Sequence, residues 1–270
     1  MAGLLAQIRK INGLGDLPIA EPFAGGAGAS LILLYQEEAP EIYINDADTA
    51  IHALWWSLVN RPTSFIRMLS STPVTIVEWH RQRAVYRHAG DVSFLRRGFS
   101  AFYLNRCNRS GVIVNGGPIG GVSQTGPWKL NARFNKPELR RRCERVAEYR
   151  DRIHVSGLDG VRFIHSLMED PPFCFIDPPY FTRGKALYLD TMDHNYHSAL
   201  AGTLNSMPHA AWVLTYDDSP QVRRMYRGWT TIRPFSLAYT AATRRRAVEL
   251  LIVPKWMRLP RAQPSAAITW

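Results

Sequence analysis

Residues 172–180 read Pro-Phe-Cys-Phe-Ile-Asp-Pro-Pro-Tyr, an apolar run that leads directly into an acid, two prolines and a tyrosine. Apolar residues without alternation are typical of a parallel strand that is covered on both faces. Because proline has no backbone N–H, Pro178 and Pro179 should end the strand. Ligands of open α/β sheets bind at the carboxyl ends of the strands. The pattern therefore predicts a central strand with Asp177 and Tyr180 at the edge of a ligand crevice.

The same segment suits one particular reaction. The lone pair of an exocyclic amine on a nucleobase is delocalised into the ring, so the amine is a poor nucleophile. The Asp177 carboxylate and the Pro178 carbonyl could each accept one of its N–H bonds and localise the lone pair, while Tyr180 stacks on the base. The alternative is an ordinary Asp-Pro turn after a strand.

Size and composition restrict the class of protein. The chain has 270 residues, of which 46% are hydrophobic and 20% charged, which suits one large α/β domain with an insertion or two small domains. We expect no membrane span, since no apolar run approaches roughly 18 residues, and no signal peptide, since the apolar part of segment 1–10 is short. The scattered Cys107, Cys143 and Cys174 predict reduced thiols in a cytoplasmic protein without a metal site.

The positive charge is concentrated in one segment. The formal net charge is +11, and residues 81–150 contain 15 Lys and Arg against 4 Asp and Glu, whereas the rest of the chain has 18 of each. A solvated basic face is one explanation. Concentration of the whole excess in one segment favours nucleic acid as the partner.

The first part of the chain follows a strand–turn–helix–strand pattern. A strand at 17–23 leads into a glycine-rich turn and an apolar helix at 31–35, and a second strand at 41–46 ends in Asp46. Such a turn lets the backbone approach a ligand beside a helix N-terminus, and an acid at the next strand end can bind ribose hydroxyls. The pattern predicts an adenosine-type cofactor, although Asp46 could instead cap a helix at 47–59. A dinucleotide or a phosphate loop is disfavoured, because neither Gly-x-Gly-x-x-Gly nor a following Lys-Ser/Thr is present.

Residues 61–150 interrupt the α/β alternation. Helices are expected near 62–70, 75–88, 92–104 and 137–150, with a polar, glycine-rich loop at 105–136. A loop of this length is usually functional or disordered. Its Asn, Arg and Lys residues, together with Trp128 and Phe134, suit base edges, phosphates and stacking. We therefore expect an insert that contacts nucleic acid.

The alternation then resumes. Strands are expected at 152–156 and 211–216, with a helix at 161–168. Asp159 is expected to contact an adenine ring, and the alternative is that it caps this helix. Segment 181–196 could close over a substrate, and His197, at the start of the next helix, is expected to be structural. A hairpin at 230–239 and 248–253 places arginines in its turn, either on phosphates or in solvent, before a poorly ordered tail.

Five motifs in this order resemble those of the DNA adenine-N6 methyltransferases of the Dam type (the D12 class). Residues 21–26 (Glu-Pro-Phe-Ala-Gly-Gly) are similar to the cofactor loop of that family, and Asn45-Asp46 to its ribose-binding acid. Residues 102–111 resemble the start of its target-recognition region, Asp177-Pro178-Pro179-Tyr180 its catalytic motif, and 247–252 its C-terminal strand. The resemblance covers roughly residues 17–254. The family usually has a Lys-Gly-Gly segment before its first helix; this chain starts after that point, so we expect weak cofactor affinity.

The resemblance implies a Rossmann-like α/β sheet of seven strands, an S-adenosyl-L-methionine cofactor and a DNA partner. Catalytic, cofactor-binding parts at 1–60 and 151–258 would enclose a target-recognition insert at 61–150, before a flexible tail at 259–270. The implied catalytic residues are Asp177, Pro178, Pro179 and Tyr180. The implied cofactor contacts are Glu21, Pro22, Phe23, Gly25, Gly26, Gly28, Ser30, Asp46, Leu158, Asp159 and Asp177. The predicted DNA contacts are Asn105, Arg106, Asn108, Arg109, Ser110, Lys129, Arg133, Asn135, Lys136, Arg244 and Arg245.

The implied activity is transfer of a methyl group to N6 of an adenine that is flipped out of the duplex. Cytosine-N4 methylation is an alternative, because that amine needs the same two acceptors. A catalytically weak DNA-binding protein of the same fold is another. An RNA adenine methyltransferase is less favoured, because those enzymes more often carry Asn at the position of Asp177. A restriction or phage partner and the recognition sequence are not inferable from the residues.

Overall fold

The computed structural model of the chain describes residues 1–87, 90, 92–179, 194–237 and 247–261. Contacts divide it into two compact units, of which the first contains residues 1–45 and those from 158 onward, and the second contains residues 46–157. The predicted boundaries of the insert were 61 and 150. The functional division into a catalytic domain and a target-recognition insert stays a prediction.

The described residues form a seven-stranded sheet. Its strands are β1 Ile19–Glu21, β2 Ile42–Asn45, β3 Ile153–Ser156, β4 Phe173–Ile176, β5 Trp212–Asp217, β6 Thr230–Leu237 and β7 Ala247–Pro254. In the first unit the order is β2-β1-β4-β5-β7-β6. Strand β1 pairs in parallel with both β2 and β4, and β4 pairs in parallel with β5, whereas β7 runs antiparallel to β5 and β6. The predicted Rossmann-like α/β fold is confirmed, and the strand order reverses direction between β1 and β4, which is where such sheets bind ligands.

Ten α-helices accompany the strands in the described residues. The first unit contains α1 Ala2–Ile11, α2 Gly28–Tyr35, α8 Gly160–Ser166, α9 His194–Asn205 and α10 Pro220–Tyr226. The second unit contains α3 Thr49–Asn60, α4 Pro62–Ser71, α5 Ile76–Arg87, α6 Phe94–Cys107 and α7 Lys136–Glu148, with short 3-10 turns at Arg109–Gly111, Leu130–Arg133 and Arg150–Arg152. In the described part of the chain, none of the helices combines the length and apolarity that crossing a bilayer requires.

Strand β4 lies inside the core of the first unit. All four of its residues are buried, as its unalternating apolar sequence predicts for a strand covered on both faces. Its register places Cys174 opposite Ala20 of β1 and Ile176 opposite Leu214 of β5. This packing fixes the position of Asp177, the residue that follows β4.

A buried arginine connects α1 to the sheet. The Arg9 side chain is 2% exposed, and its Nη2 donates to the carbonyls of Gly15 at 2.7 Å, Leu17 at 2.8 Å and Glu38 at 2.9 Å. Its guanidinium carbon lies 5.5 Å from the ring centroid of Phe173. Burial lowers the Arg9 pKa to about 10, opposed by the acids Glu38 and Asp16, so the side chain stays charged at neutral pH. Arg9 therefore holds the segment that enters β1.

Most element boundaries differ by a few residues from the sequence predictions, and three of the differences concern residues with a predicted role. The N-cap of α3 is Asp48, whose Oδ1 accepts from the N–H groups of Ala50 and Ile51, and not Asp46. Helix α6 continues to Cys107, so the polar loop begins later than predicted. Helix α9 begins at His194 and not at 197. Each error arises because several neighbouring residues have similar helix or cap preferences, and tertiary packing selects among them.

The C-terminal hairpin is confirmed. Strands β6 and β7 pair antiparallel from Thr230 opposite Pro254 to Leu237 opposite Ala247. Predictions for Tyr180, for the closing segment up to 193, for Arg244 and Arg245 in the hairpin turn, and for the tail from 262 onward lie outside the described residues.

Candidate active site

Acidic residues stand at the carboxyl ends of adjacent strands in the first unit. Glu21 ends β1, Asp177 follows β4 and Asp217 ends β5. The Asp177 residue is exposed, and its Oδ1 accepts a hydrogen bond of 2.5 Å from the hydroxyl of Thr215 on β5. Thr215 is only 1% exposed. The neighbouring strand thus fixes the orientation of the carboxylate at the predicted position.

The electrostatic surroundings of Asp177 favour its protonated form. Desolvation raises its pKa to about 6, the Thr215 hydrogen bond opposes this rise, and the charge of Glu249 on β7 adds to it. Solvent nevertheless reaches the exposed part of this residue and screens the carboxylate. The carboxylate is ionised at neutral pH and above, where it can accept hydrogen bonds.

Glu21 is a buried carboxyl beside the start of α2. It is 4% exposed, and its Oε1 accepts from the backbone N–H of Ser30 at 2.7 Å. Burial raises its pKa to about 7, the Ser30 side chain and backbone lower it, and Asp177 raises it. The Ser30 hydroxyl is buried beside Glu21 and meets no partner at hydrogen-bond geometry among the described residues.

The glycine-rich turn leaves open space before α2. A Cβ placed on Gly25, Gly26 or Gly28 would meet no atom of the described residues within 4 Å, so packing within this part of the chain does not require glycine there. Gly25 and Ala27 have left-handed backbone conformations, with φ of 47° and 45°. Ala27 is the N-cap of α2 and provides no side-chain acceptor for the first N–H groups. The turn therefore offers space and backbone donors to a polar ligand.

Asn45, at the end of β2, is a site residue whose role the sequence did not reveal. Its Nδ2 donates to the carbonyls of Pro22 and Leu158, both at 2.9 Å, and its Oδ1 accepts from the N–H of Leu158 at 2.8 Å. The only signal in the sequence is a polar residue at the end of an apolar strand. Its amide connects the turn after β1 to the turn before α8.

The residues around α8 form a compact group with Phe23. A Cβ on Gly160 would lie 2.4 Å from the Phe23 ring, and the Phe23 and Tyr196 rings meet edge to face at 6.5 Å. Burial, followed by the hydrogen bond and charge of Asp159, raises the pKa of Tyr196. Asp159 caps α8, accepting from Val161 at 3.1 Å and Arg162 at 3.0 Å. The cap prediction is confirmed, and the contact of Asp159 with adenine stays a prediction.

Two further predicted residues have internal roles. His197 is buried, and its Nδ1 lies 2.6 Å from the hydroxyl of Tyr216, in agreement with the structural role expected for it. In the second unit, Asp46 accepts from the N–H of Asp48 at 2.9 Å, and its own N–H donates to Ser156 at 3.3 Å. The ribose contact of Asp46 stays a prediction.

The predicted DNA contacts in the second unit fall into two groups, of which the first is engaged internally. Asn108 is fully buried and accepts from Trp79 Nε1 at 2.7 Å while donating to Val112. Asn105 donates to Gly111 at 3.1 Å and accepts from Arg106 at 2.7 Å. Burial and neighbouring arginines lower the pKa of Arg106. These side chains hold the start of the loop in place.

The second group is exposed. Arg109, Ser110, Lys129, Arg133 and Asn135 are all exposed, and Lys136 is half-buried. Lys129 and Lys136 donate to the carbonyls of Gln124 and Ser70, and Asn135 caps α7. Their contacts with DNA stay predictions.

The aromatic residues of the loop differ from one another. Trp128 is 72% exposed, as a stacking role requires. Phe134 is 4% exposed and packs against Phe102 and Tyr103 at centroid distances of 6.1 and 5.2 Å. The predicted stacking role of Phe134 is therefore wrong, because its ring is part of the core of the second unit.

The loop that carries Trp128 is held in one conformation. The Gln124 side chain donates to Ile119 at 2.7 Å and Gly121 at 2.6 Å, and it accepts from the N–H of Leu130 at 2.8 Å. Gly120 has a φ of 85°, and a Cβ there would lie 2.6 Å from the Trp128 carbonyl. Only glycine fits this position.

Three arginines of helix α7 form ion pairs with glutamates of the same helix. Arg141 and Arg142 both pair with Glu138, and Arg140 pairs with Glu144 at 2.7 Å. Such exposed pairs are weak.

The three cysteines are buried thiols. Cys107, Cys143 and Cys174 are free and buried, and burial raises the pKa of each thiol to about 12. Within the described ranges, no three His, Cys, Asp or Glu side chains are grouped as metal ligands would be.

Comparisons with known proteins add little to this geometry. No protein-family model matches the chain, and no curated protein matches it. Two solved structures of the rRNA methyltransferase aviRa from Streptomyces viridochromogenes align with it, each over 93% of this chain and 84% of that chain. Their TM-scores are 0.37 and 0.36, at 12% and 13% identity. Scores this low support no argument about fold or function, so the α/β assignment rests on strand order and register.

Proposed function

We propose that the chain is an S-adenosyl-L-methionine-dependent methyltransferase that methylates N6 of adenine in DNA. The orientation of Asp177 is the observation that carries the proposal. Among the described residues, the only hydrogen bond to its carboxylate is the one from Thr215 to Oδ1, so Oδ2 is available to accept an N–H. Pro178 follows directly, and its carbonyl is the second acceptor that the amine requires.

The residues of the chain would act by positioning and electrostatics. When bound, the cofactor supplies an electrophilic methyl group on a sulfonium sulfur. Asp177 and the Pro178 carbonyl hold the two N6 hydrogens, so that the nitrogen lone pair points out of the ring plane. N6 forms the new bond to the methyl carbon, the carbon–sulfur bond breaks, and its electron pair remains on sulfur. The surplus N6 proton leaves afterwards, with the Asp177 carboxylate as its first acceptor.

The glycine-rich turn supports the cofactor assignment. The described residues leave space above Gly25, Gly26 and Gly28, and Ala27 provides no side-chain cap for the first N–H groups of α2, which fits a polar ligand. The buried Ser30 hydroxyl beside Glu21 adds a hydrogen-bonding group in the same place. The residues present therefore fit an adenosyl amino acid, with Glu21 and Ser30 near the turn.

The second unit supports the choice of DNA. The charge excess of the sequence lies in segment 81–150, and Arg109, Lys129 and Arg133 are exposed there. Exposed cations with an exposed tryptophan are typical of a surface that contacts phosphates and bases. Residue 177 is Asp, whereas RNA adenine methyltransferases more often carry Asn at this position, so the resemblance favours DNA over RNA.

Product analysis tests the proposed function. The purified chain is incubated with S-adenosyl-L-methionine and unmethylated duplex DNA, with a structured RNA as the matched polyanion, and the nucleosides are analysed by mass spectrometry. We expect N6-methyladenine from DNA alone. N4-methylcytosine would establish the alternative base, and methylation of RNA alone would overturn the DNA assignment. Absence of both cofactor binding and methylation would refute the proposal that the chain is a methyltransferase, and the DNA-binding protein would remain as the alternative.

Replacement of Thr215 by Val should shift the pH dependence of activity. Desolvation by the surrounding protein raises the pKa of Asp177, the Thr215 hydroxyl lowers it, and the nearby charge of Glu249 raises it. Because Asp177 acts in its ionised form, activity is lost as the pH falls through its pKa, and Thr215→Val should move this loss to higher pH. We also expect roughly tenfold lower kcat near pH 7, from one charge-assisted hydrogen bond. Thr215→Ser keeps the hydroxyl, and its profile of kcat/KM against pH should match the wild type; a Val profile that also matches would refute the positioning role.

Replacement of Trp128 by Ala should weaken DNA binding. Stacking of one base on an aromatic side chain accounts for about 1–3 kcal/mol, so we expect roughly tenfold weaker binding. The matched control is Trp256→Ala, because Trp256 is also exposed, at 43%, but lies in the first unit. Fluorescence anisotropy with a labelled duplex at constant salt measures both variants. Equal affinities of Trp128→Ala and the wild type would remove Trp128 from the DNA surface.

A further inference from the structure

The buried side-chain amide of Asn45 forms hydrogen bonds with two turns of the first unit. The residue is 1% exposed, and it donates twice and accepts once: to Pro22 at 2.9 Å, to Leu158 at 2.9 Å and from Leu158 at 2.8 Å. A primary amide can make this combination of hydrogen bonds, but a carboxylate cannot, because it has no donor. The connection therefore depends on an asparagine and not merely on a polar residue.

The two connected turns carry the proposed cofactor contacts. Pro22 is followed by Phe23 and the glycine-rich turn, while Leu158 is followed by Asp159 and the start of α8. The turns also touch directly, since a Cβ on Gly160 would lie 2.4 Å from the Phe23 ring. Leu158 itself remains 41% exposed, so its side chain is accessible to a ligand while its backbone is held by Asn45.

We propose that Asn45 is a positioning residue that sets the spacing of these two turns for the adenosine half of S-adenosyl-L-methionine, without touching the cofactor. This inference rests on the proposed function. The amide fixes the backbone at Pro22 and Leu158 from one point, so that Phe23 and Leu158 present their side chains at a constant separation. Loss of the amide allows the turns to separate and lowers cofactor affinity through geometry rather than through a lost contact.

The first unit contains a matched control. The side chain of Asn12 also donates twice and accepts once, to Ile8 and Arg258 and from Arg258, all at 2.8 Å. It connects the end of α1 to the segment after β7, and neither segment is a proposed cofactor contact. The variants Asn45→Asp and Asn12→Asp remove the same two donors, from a buried set at Asn45 and from a half-buried set at Asn12.

The test measures S-adenosyl-L-methionine binding by isothermal titration calorimetry and Tm by calorimetry for the full chain and both variants. We expect Asn45→Asp to bind S-adenosyl-L-methionine at least roughly tenfold more weakly, because the loss of about one to two hydrogen bonds leaves the two turns less preorganised. Asn12→Asp should bind the cofactor like the wild type. Both variants should have a lower Tm. Asn45→Ser introduces no buried charge and provides the same test if Asn45→Asp does not fold.

Two outcomes would overturn the inference, and they differ from failure of the proposed function. Wild-type affinity in Asn45→Asp or Asn45→Ser would show that the spacing does not depend on the amide. Equal loss of affinity in Asn12→Asp would show that general destabilisation is the cause. If the wild-type chain itself binds no S-adenosyl-L-methionine, the proposed function fails, and this inference fails with it.

Discussion

Replacement of Asp177 by Ala should lower kcat by at least about three orders of magnitude, since it removes an acceptor that localises the N6 lone pair and the negative charge that stabilises the developing cation. Affinity for DNA and for S-adenosyl-L-methionine should change little, because both are held mainly by other residues. The variant should also fold. The Thr215 hydroxyl retains the carbonyl of Ile176 at 3.4 Å as a neighbour, and repulsion between Asp177 and the carboxylates of Glu21 and Glu249 is removed.

The matched control for Asp177 is Asp218→Ala. Asp218 follows the neighbouring strand β5, but it is exposed and pairs with Arg223 at 2.6 Å, so its loss should leave kcat within about twofold of the wild type. Single-turnover methylation of duplex DNA separates the chemical step from binding. Methyl transfer at the wild-type rate by Asp177→Ala would refute the mechanism, even if the chain proved to be a methyltransferase.

Replacement of Arg9 by Met should have the largest effect on stability. Met fills similar space but leaves the carbonyls of Gly15, Leu17 and Glu38 without the donor that they share. The buried Arg9 Nη1 has no partner in the described part of the chain, so part of the cost of burying the charge is recovered. We expect a net loss of about 3 kcal/mol, which corresponds to a fall in Tm of roughly 6–12 °C.

Lys10→Met provides the control for Arg9. Lys10 is the next residue of the same helix and is exposed, so the same chemical change there should alter Tm by no more than about 2 °C. Differential scanning calorimetry at pH 7 measures both variants. A similar Tm for the two would mean that the hydrogen bonds of Arg9 do not stabilise the first unit.

The elements that the sequence predicted are those with a local signal. The apolar run at 173–176, the glycine-rich turn and the hairpin of β6 and β7 each depend on residue types within a few positions. The same holds for Asp159, whose cap geometry needs only the next three residues. For these, the physical cause is contained in the segment itself, and the structure agrees.

The pairings that the sequence did not reveal join residues that are far apart in the chain. Asn45 and Leu158 are 113 positions apart, and Thr215 and Asp177 are 38 apart, so neither pairing leaves a periodic pattern in the sequence. For Phe134 the sequence predicted a role that the structure contradicts. An aromatic residue in a polar loop resembles a stacking residue whether its ring is exposed or buried. Burial of that ring is decided by Phe102 and Tyr103 on α6, which the loop sequence does not contain.

The first unit is built from two separate stretches of the chain, residues 1–45 and those from 158 onward, and this affects how the chain folds during synthesis. Strand β1 leaves the ribosome early, but its partner β4 follows only after the whole second unit has been made. Strands β1 and β2 can pair with each other at once, but the edge of β1 that β4 covers stays exposed to other chains until β4 is made. Since Asn45 and Leu158 are neighbours in the finished fold, a second unit that folds first brings its own ends together and removes most of the loop-closure entropy that would otherwise delay the pairing of β1 with β4.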